Sequence, residues 1–230
     1  MSASLILPRS LILPKMSFVD VTLKLLQGFL VTLEIFAISW LLAVPLGVFF
    51  CSISICRFKW IRKVMSVFIW VIRGTPLMLQ IIIIFYVPGL LFNLPSLDRM
   101  VSVIIAIVIN YAVYFSEIYR AGYESISKGQ KEAGFVLGLS KNDIFFKVYL
   151  KQIIKKIIPP MTNETISLVK DTALARVITI PEVLKSAQEI VAKEAIIWPL
   201  FYTAVFYLAI VGILSIILKL YEKKLSYIAS

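Results

Sequence analysis

Long apolar stretches separated by short, mostly basic segments dominate the chain. A membrane helix needs ~20 predominantly apolar residues to cross the hydrocarbon. The first stretch, Phe29 to Cys56, carries one charge, Glu34, and is long enough. The second, Val64 to Leu97, is too long for one straight helix and is broken by Arg73-Gly74-Thr75-Pro76. With Thr75 as N-cap and Pro76 as first helical residue, a fresh helix is expected to start there. Ile61–Ile72 then reads as an interfacial approach and Pro76–Leu91 as the crossing. Met100 to Ser116 gives a third span near the short limit, and Ala195 to Leu218 a charge-free fourth.

The segment from Ile157 to Ile180 is more polar, holding Pro159, Pro160, Asn163, Glu164, Lys170, Asp171 and Arg176. Charge distribution decides whether it crosses. If it is counted, fifteen Lys and Arg fall on one side: Arg57 to Lys63, Arg120 to Lys156, and Lys219 to Lys224. Six fall on the other: Arg9, Lys15, Lys24, Arg99, Lys185 and Lys193. Cytoplasmic loops carry the excess of positive charge, so the expected topology has five spans, an outside N-terminus and a cytoplasmic C-terminus.

The expected fold is therefore all-α and integral to the membrane. Residues 1–28 form an N-terminal extension with an amphipathic interfacial helix, on which Val19, Leu23, Leu26 and Leu30 share a face. The first sixteen residues lack the core and cleavage site of a secretory signal, and Met16 is an alternative start. Residues 29–220 form the transmembrane domain, with spans near 29–55, 76–91, 100–118, 157–180 and 195–218 and a cytoplasmic loop over 120–156. Residues 221–230 are a cytoplasmic tail.

Composition agrees. The 230 residues are 60% hydrophobic and 16% charged, with mean hydropathy +0.93. Soluble domains have roughly 45–50% apolar residues, so the excess needs lipid around it. The net charge of +11 does not indicate nucleic-acid binding, because the basic residues flank apolar spans. Two cysteines, Cys51 and Cys56, are too few for a disulfide framework and read as small apolar fillers. There is no histidine, the commonest metal ligand and general base, and no G-x-x-x-x-G-K-[ST] nucleotide loop. The chain is expected to be no enzyme by itself and to hold no metal or cofactor.

The loop from Arg120 to Lys156 has helical punctuation. Lys131 to Leu137 reads as a short helix closed by Gly138 in a left-handed conformation. Ser140, with Asp143 three residues on, is a capping-box-like start for a second helix. Lys147, Lys151 and Lys155 then form a basic stripe, and Pro159-Pro160 are expected to end that helix at the membrane surface.

Here the sequence resembles a known family. Glu132-Ala133-Gly134, Gly138 and Val148-Tyr149-Leu150 are similar to the EAA loop of bacterial binding-protein-dependent ABC importer permeases. The spacing fits, with Gly134 for the second alanine, Val148 for isoleucine and Lys151 for proline. Further segments resemble the polar-amino-acid subfamily: Arg73 to Leu77, Ser116 to Gly122, Lys128-Gly129-Gln130, Asn163-Glu164-Thr165 and Leu168 to Thr172. Together they cover the chain from about Phe29 to its end.

The resemblance implies a type I ABC importer permease in a bacterial cytoplasmic membrane. It implies separate ATPase subunits that bind ATP and Mg, a second permease copy or homologue, and an extracytoplasmic solute-binding protein. Glu132, Ala133, Gly134, Gly138 and Leu139 would form the coupling helix that docks into the ATPase. Within the membrane, a charge is expensive and usually faces a cavity or another charge. Asn163 and Glu164, with Thr75, are candidates for the substrate pathway, where they could hold an amino-acid ammonium group. Arg73, Lys170 and Asp171 are expected to be structural, Lys170 and Asp171 as an ion pair. An ABC permease for another solute is the near alternative. A secondary transporter or channel would want repeated halves, which the text does not show.

Overall fold

The computed structural model describes residues 16–93, 95 and 97–227; the expected extension before Met16 and the last three residues lie outside these. The described residues are helical apart from short connecting turns, bends and loops, with no strand among them. The bundle is built around α1 (Phe18–Ser54) and α4 (Arg99–Glu124), which pack along each other. Their close approach uses a small residue: a Cβ added at Gly47 would meet Phe115 Cβ at 2.8 Å. Membrane helices lack a hydrophobic drive to associate and rely on such contacts. The main core gathers Ile35, Ile81, Ile107, Phe115, Leu168 and Ile178 from five elements.

α1 starts earlier than the sequence pattern suggests. It runs unbroken for 37 residues across positions 28 and 29, so the expected interfacial helix is the first third of the same long helix. Ser17 caps it in a full capping box with Asp20. Val19, Leu23, Leu26 and Leu30 do share a face, and it is the exposed one. Val21, Leu25 and Gly28 on the opposite face pack against α8 (Val183–Glu194), where Lys24 also pairs with Glu189 at 3.4 Å.

α2 (Lys59–Gly74) and α3 (Leu77–Phe92) meet at a 103° elbow. The break falls where Arg73 to Pro76 predicts it, but the capping differs. Pro76 is the N-cap of α3, and Thr75 turns back to α2, donating its hydroxyl to Val71 O at 2.9 Å. α2 carries no acid, and Trp60 and Trp70 stand exposed on it, as on an interfacial helix. α4 opens on Asp98, which accepts from the amides of Met100 and Val101 at 2.8 and 3.2 Å.

α5 (Lys128–Val136) follows, then the single turn α6 (Lys141–Asp143), a π-helical segment (Ile144–Tyr149) and α7 (Leu150–Asp171). α7 is antiparallel to α4: Gly122 lies against Ile153 and Ile157, and Tyr111 against Asp171. Pro159 and Pro160 do not end this helix; they lie within it. The carbonyls they leave unpaired, four residues earlier, belong to Lys155 and Lys156, in an exposed stretch where water can replace the lost donors. A 3-10 segment (Thr172–Ile178) continues α7, and α8 and α9 (Trp198–Tyr227) complete the chain. Among the described residues, α1, α4 and α9 are long and apolar enough to cross a membrane, and the α2–α3 pair qualifies as one bent span.

Candidate functional site

Two places combine chemistry with access. The first lies at the end of the bundle reached by the C-terminus of α4. Ser127 caps α5 by accepting from Gly129 N at 3.3 Å. α5 closes in a Schellman motif: Leu139 N donates to Gly134 O and Gly138 N to Phe135 O, each at 3.0 Å, with Gly138 at φ 73°. Ser140 then accepts from Asp143 N at 3.1 Å, as its spacing predicts. Asp143 pairs with Lys147 at 2.6 Å and accepts from Ser140 Oγ through Oδ2 at 2.6 Å, and these two contacts, Lys147 first, hold its carboxyl below the usual carboxylate range. Lys147, Lys151 and Lys155 are exposed.

The five residues expected to form the coupling surface separate. Glu132, Ala133 and Gly138 are exposed, and Leu139 is half-buried. Gly134 points inward and is covered by Ile144, so its small size serves packing within the loop. Sequence reasoning missed the tip of α5: Val136 and Leu137 are 88% and 77% exposed. Three consecutive apolar residues, Phe135 to Leu137, just before Gly138 in a polar loop were the available signal. Beside them an aromatic slot of about 220 Å³ opens between Tyr123, Phe135, Phe145 and Tyr149, with Lys131 and Lys141 at its sides.

The second place is a cavity of about 600 Å³ between the elbow, α4 and α7. Arg73, Thr75, Glu164 and Asp171, picked from the sequence, converge there, joined by Asn110 and Tyr111. Asn163 and Lys170 do not reach it. On a helix, successive residues are 100° apart, so Glu164, Ser167 and Asp171 share a face that Asn163 and Lys170 leave. Both of the latter are exposed. The expected Lys170–Asp171 ion pair is therefore absent among the described residues. Asp171 instead accepts from Tyr111 Oη at 2.7 Å.

Arg73 lies over the Tyr114 ring, 5.4 Å from its centroid, and pairs with Glu117 at 3.4 Å. Glu117 is also gripped by Arg120 through two bonds of 2.9 Å, and Arg120 reaches Glu124 at 2.7 Å. Glu164, by contrast, forms no hydrogen bond or ion pair among the described residues. Nor is there, among them, a cluster of His, Cys, Asp and Glu able to hold a metal ion. Cys51 is buried and Cys56 half-buried, both as free thiols.

Residues 43–227 match the family described as "Binding-protein-dependent transport system inner membrane component". The chain belongs to this family. It is thus a membrane transport component, and the helical fold matches that of the type I ABC importer permeases. Similar proteins include the L-cystine transport system permease protein TcyB of Bacillus subtilis, 36% identical over 88% of this chain and 87% of its own. The arginine transport system permease protein ArtQ of the same organism is 35% identical, over 87% and 92%. The glutamine transport system permease protein GlnP of Escherichia coli is 38% identical, over 72% and 77%. Among solved structures, an amino acid ABC transporter superposes with TM-score 0.83 at 29% identity, covering 92% of this chain and 99% of the other. The inward-facing MetNI methionine ABC transporter, at 14% identity and TM-score 0.65, shares the fold.

Proposed function

We propose that this permease carries polar amino acids inward across a bacterial cytoplasmic membrane, with energy from ATP hydrolysed on a separate subunit. The observation that carries the reading is Glu164, a carboxylate with no hydrogen bond or ion pair among the described residues, lining the open cleft between the elbow, α4 and α7. A charge in the membrane costs ~2.5–3.5 kcal/mol on insertion scales. A charge kept there without a protein partner is suited to a ligand. The relatives' names, which specify cystine, arginine and glutamine, support an amino acid as that ligand. Glu164 and Asp171 would attract its ammonium group, and Arg73 its carboxylate.

The permease works in this reading with a second copy or a homologue, the pair enclosing the path. An extracytoplasmic binding protein delivers the substrate. ATP and Mg are held by two ATPase subunits, which receive α5. The exposed tip at Val136 and Leu137, with Glu132 and Ala133 beside it, supplies an apolar knob and a charge for that contact. In this arrangement α1, α3, α4, α7 with its 3-10 extension, and α9 are the five crossings. The N-terminus is outside and α5 in the cytosol, as the Lys and Arg distribution favours.

The test is uptake by proteoliposomes containing the permease, its partner permease if distinct, the ATPase and the binding protein, screened over radiolabelled amino acids with ATP inside or outside. ATP-dependent uptake of a polar amino acid, reduced at least tenfold by Glu164→Gln, is expected. Equal uptake without nucleotide, or by the variant, contradicts the proposal.

A further inference from the structure

The elbow between α2 and α3 is fastened by one side chain that the sequence does not single out. Gln80, in the first turn of α3 and buried, donates through Nε2 to Ile72 O at 2.8 Å, Thr75 Oγ1 at 2.9 Å and Thr75 O at 3.2 Å. These groups include carbonyls that the end of α2 leaves without helical donors. Its other end, Oε1, accepts from Asn110 Nδ2 on α4 at 3.0 Å.

The direction of this chain of bonds is dictated by its first link. Backbone carbonyls only accept, so Gln80 must turn its amide nitrogen to Ile72 and Thr75 and its oxygen to Asn110. Asn110 must then donate with its nitrogen, which leaves its Oδ1 free of any bond among the described residues. Asn110 lines the cavity that holds Glu164 and Asp171. A flipped Asn110 would present a donor to the ligand and set its oxygen against Gln80 Oε1, two acceptors facing each other.

We infer that Gln80 is a positioning residue: it locks the α2–α3 elbow and, through that lock, fixes Asn110 as a hydrogen-bond acceptor toward the cavity. The ligand group that suits the resulting set of Asn110 Oδ1, Glu164 and Asp171 is a cationic donor, an ammonium or guanidinium. Bend and specificity are thereby tied together, since an elbow that opens removes the acceptors that orient Gln80. The inference rests on the cavity's proposed role as substrate site, and its structural half stands apart from that role.

Two measurements test it on the permease in complex with its ATPase in nanodiscs. The first is binding of radiolabelled L-arginine, L-glutamine and L-cystine, without binding protein, to the parent, Gln80→Leu, Asn110→Ala and the double variant. Each single change is expected to weaken the tightest-binding probe about tenfold, the scale of one hydrogen bond to a charged group. The double variant should be no weaker than Asn110→Ala, because Gln80 acts through Asn110. Unchanged affinity in Gln80→Leu, or losses that multiply in the double variant, would overturn the positioning role.

The second is the distance between spin labels at Val67→Cys on α2 and Leu90→Cys on α3, with Cys51 and Cys56 replaced by serine. A narrow distribution in the parent that broadens in Gln80→Leu is expected. A distribution equally narrow in both overturns the lock. If no probe binds the parent, the cavity reading and the ligand half fall together, and the spin-label distances still decide the elbow.

Discussion

Gly134 of α5 and Ile144 of the π-helical segment lie face to face. A methyl group built on Gly134 would come to 2.6 Å from Ile144 Cγ1 and 2.9 Å from its Cδ1. Such separations force a shift, so the two halves of the loop are joined by the absence of a side chain. Through that contact the exposed tip of α5 is packed onto the π segment that leads into α7.

Gly134→Leu is therefore expected to destabilise the protein by ~1–3 kcal/mol, the usual range for overpacking. Thermal unfolding of the purified permease should show a lower Tm. An unchanged Tm would mean that Ile144 does not clamp Gly134.

The cavity allows a contrast between a residue that lines it and one that does not. Tyr111→Phe removes the sole hydrogen bond that the Asp171 carboxylate accepts among the described residues. A bond to a charged group is worth ~1.5–3 kcal/mol, so uptake at limiting substrate should fall about tenfold or more. Asn163→Ala, on the face of α7 turned away from the cavity, should change uptake less than about twofold. Equal effects in transport assays would contradict the placement of the cavity.

On the opposite end of the bundle, Glu182 is fully buried yet caps α8, accepting from Leu184 N at 2.8 Å and Lys185 N at 2.7 Å. Burial pushes its carboxyl above the usual range, against those bonds. Tyr207 Oη also donates to it at 3.4 Å, tying α9 to this corner. Glu182→Ala should cost about 1–3 kcal/mol by leaving these donors unpaired, visible as a lower Tm. Glu182→Gln keeps an acceptor and should lose less.

The start of α6 should respond to acid. The carboxyl of Asp143 titrates below its unfolded value because of Lys147 and Ser140. The stabilisation is present above the ordinary carboxylate pKa and is lost as pH falls through the lowered one. Hydrogen exchange at the Asp143 and Ile144 amides should stay slow, after correction for intrinsic rates, down to that lowered value and then quicken. In Asp143→Asn the corrected rates should not depend on pH over this window.

Much of this was legible in the chain. The Arg73-Gly74-Thr75-Pro76 break, the Gly138 closure and the Ser140 start each have a local backbone cause that no packing overrides, and all three stand in the structure. What failed was inference from faces. In lipid both sides of a helix can be apolar, so Val19, Leu23, Leu26 and Leu30 could not show that the helix continues or that Val21 and Leu25 are the packed side. Adjacency misled likewise: Lys170 and Asp171 are neighbours in sequence but 100° apart around α7. Gln80 and Asn110 were invisible, since a polar residue in an apolar span acquires meaning only from the carbonyls it faces in three dimensions.

In the proposed transport cycle, α5 transmits the work of a cytosolic ATPase to the bundle. The direct measurement is the number of substrate molecules taken up per ATP hydrolysed, in proteoliposomes holding the complete transporter, for the parent, Glu132→Lys and Gly138→Val. Both variants should reach the membrane in normal amount, and their uptake per ATP should fall at least fivefold. Parent-like stoichiometry and uptake rate in both would contradict the account.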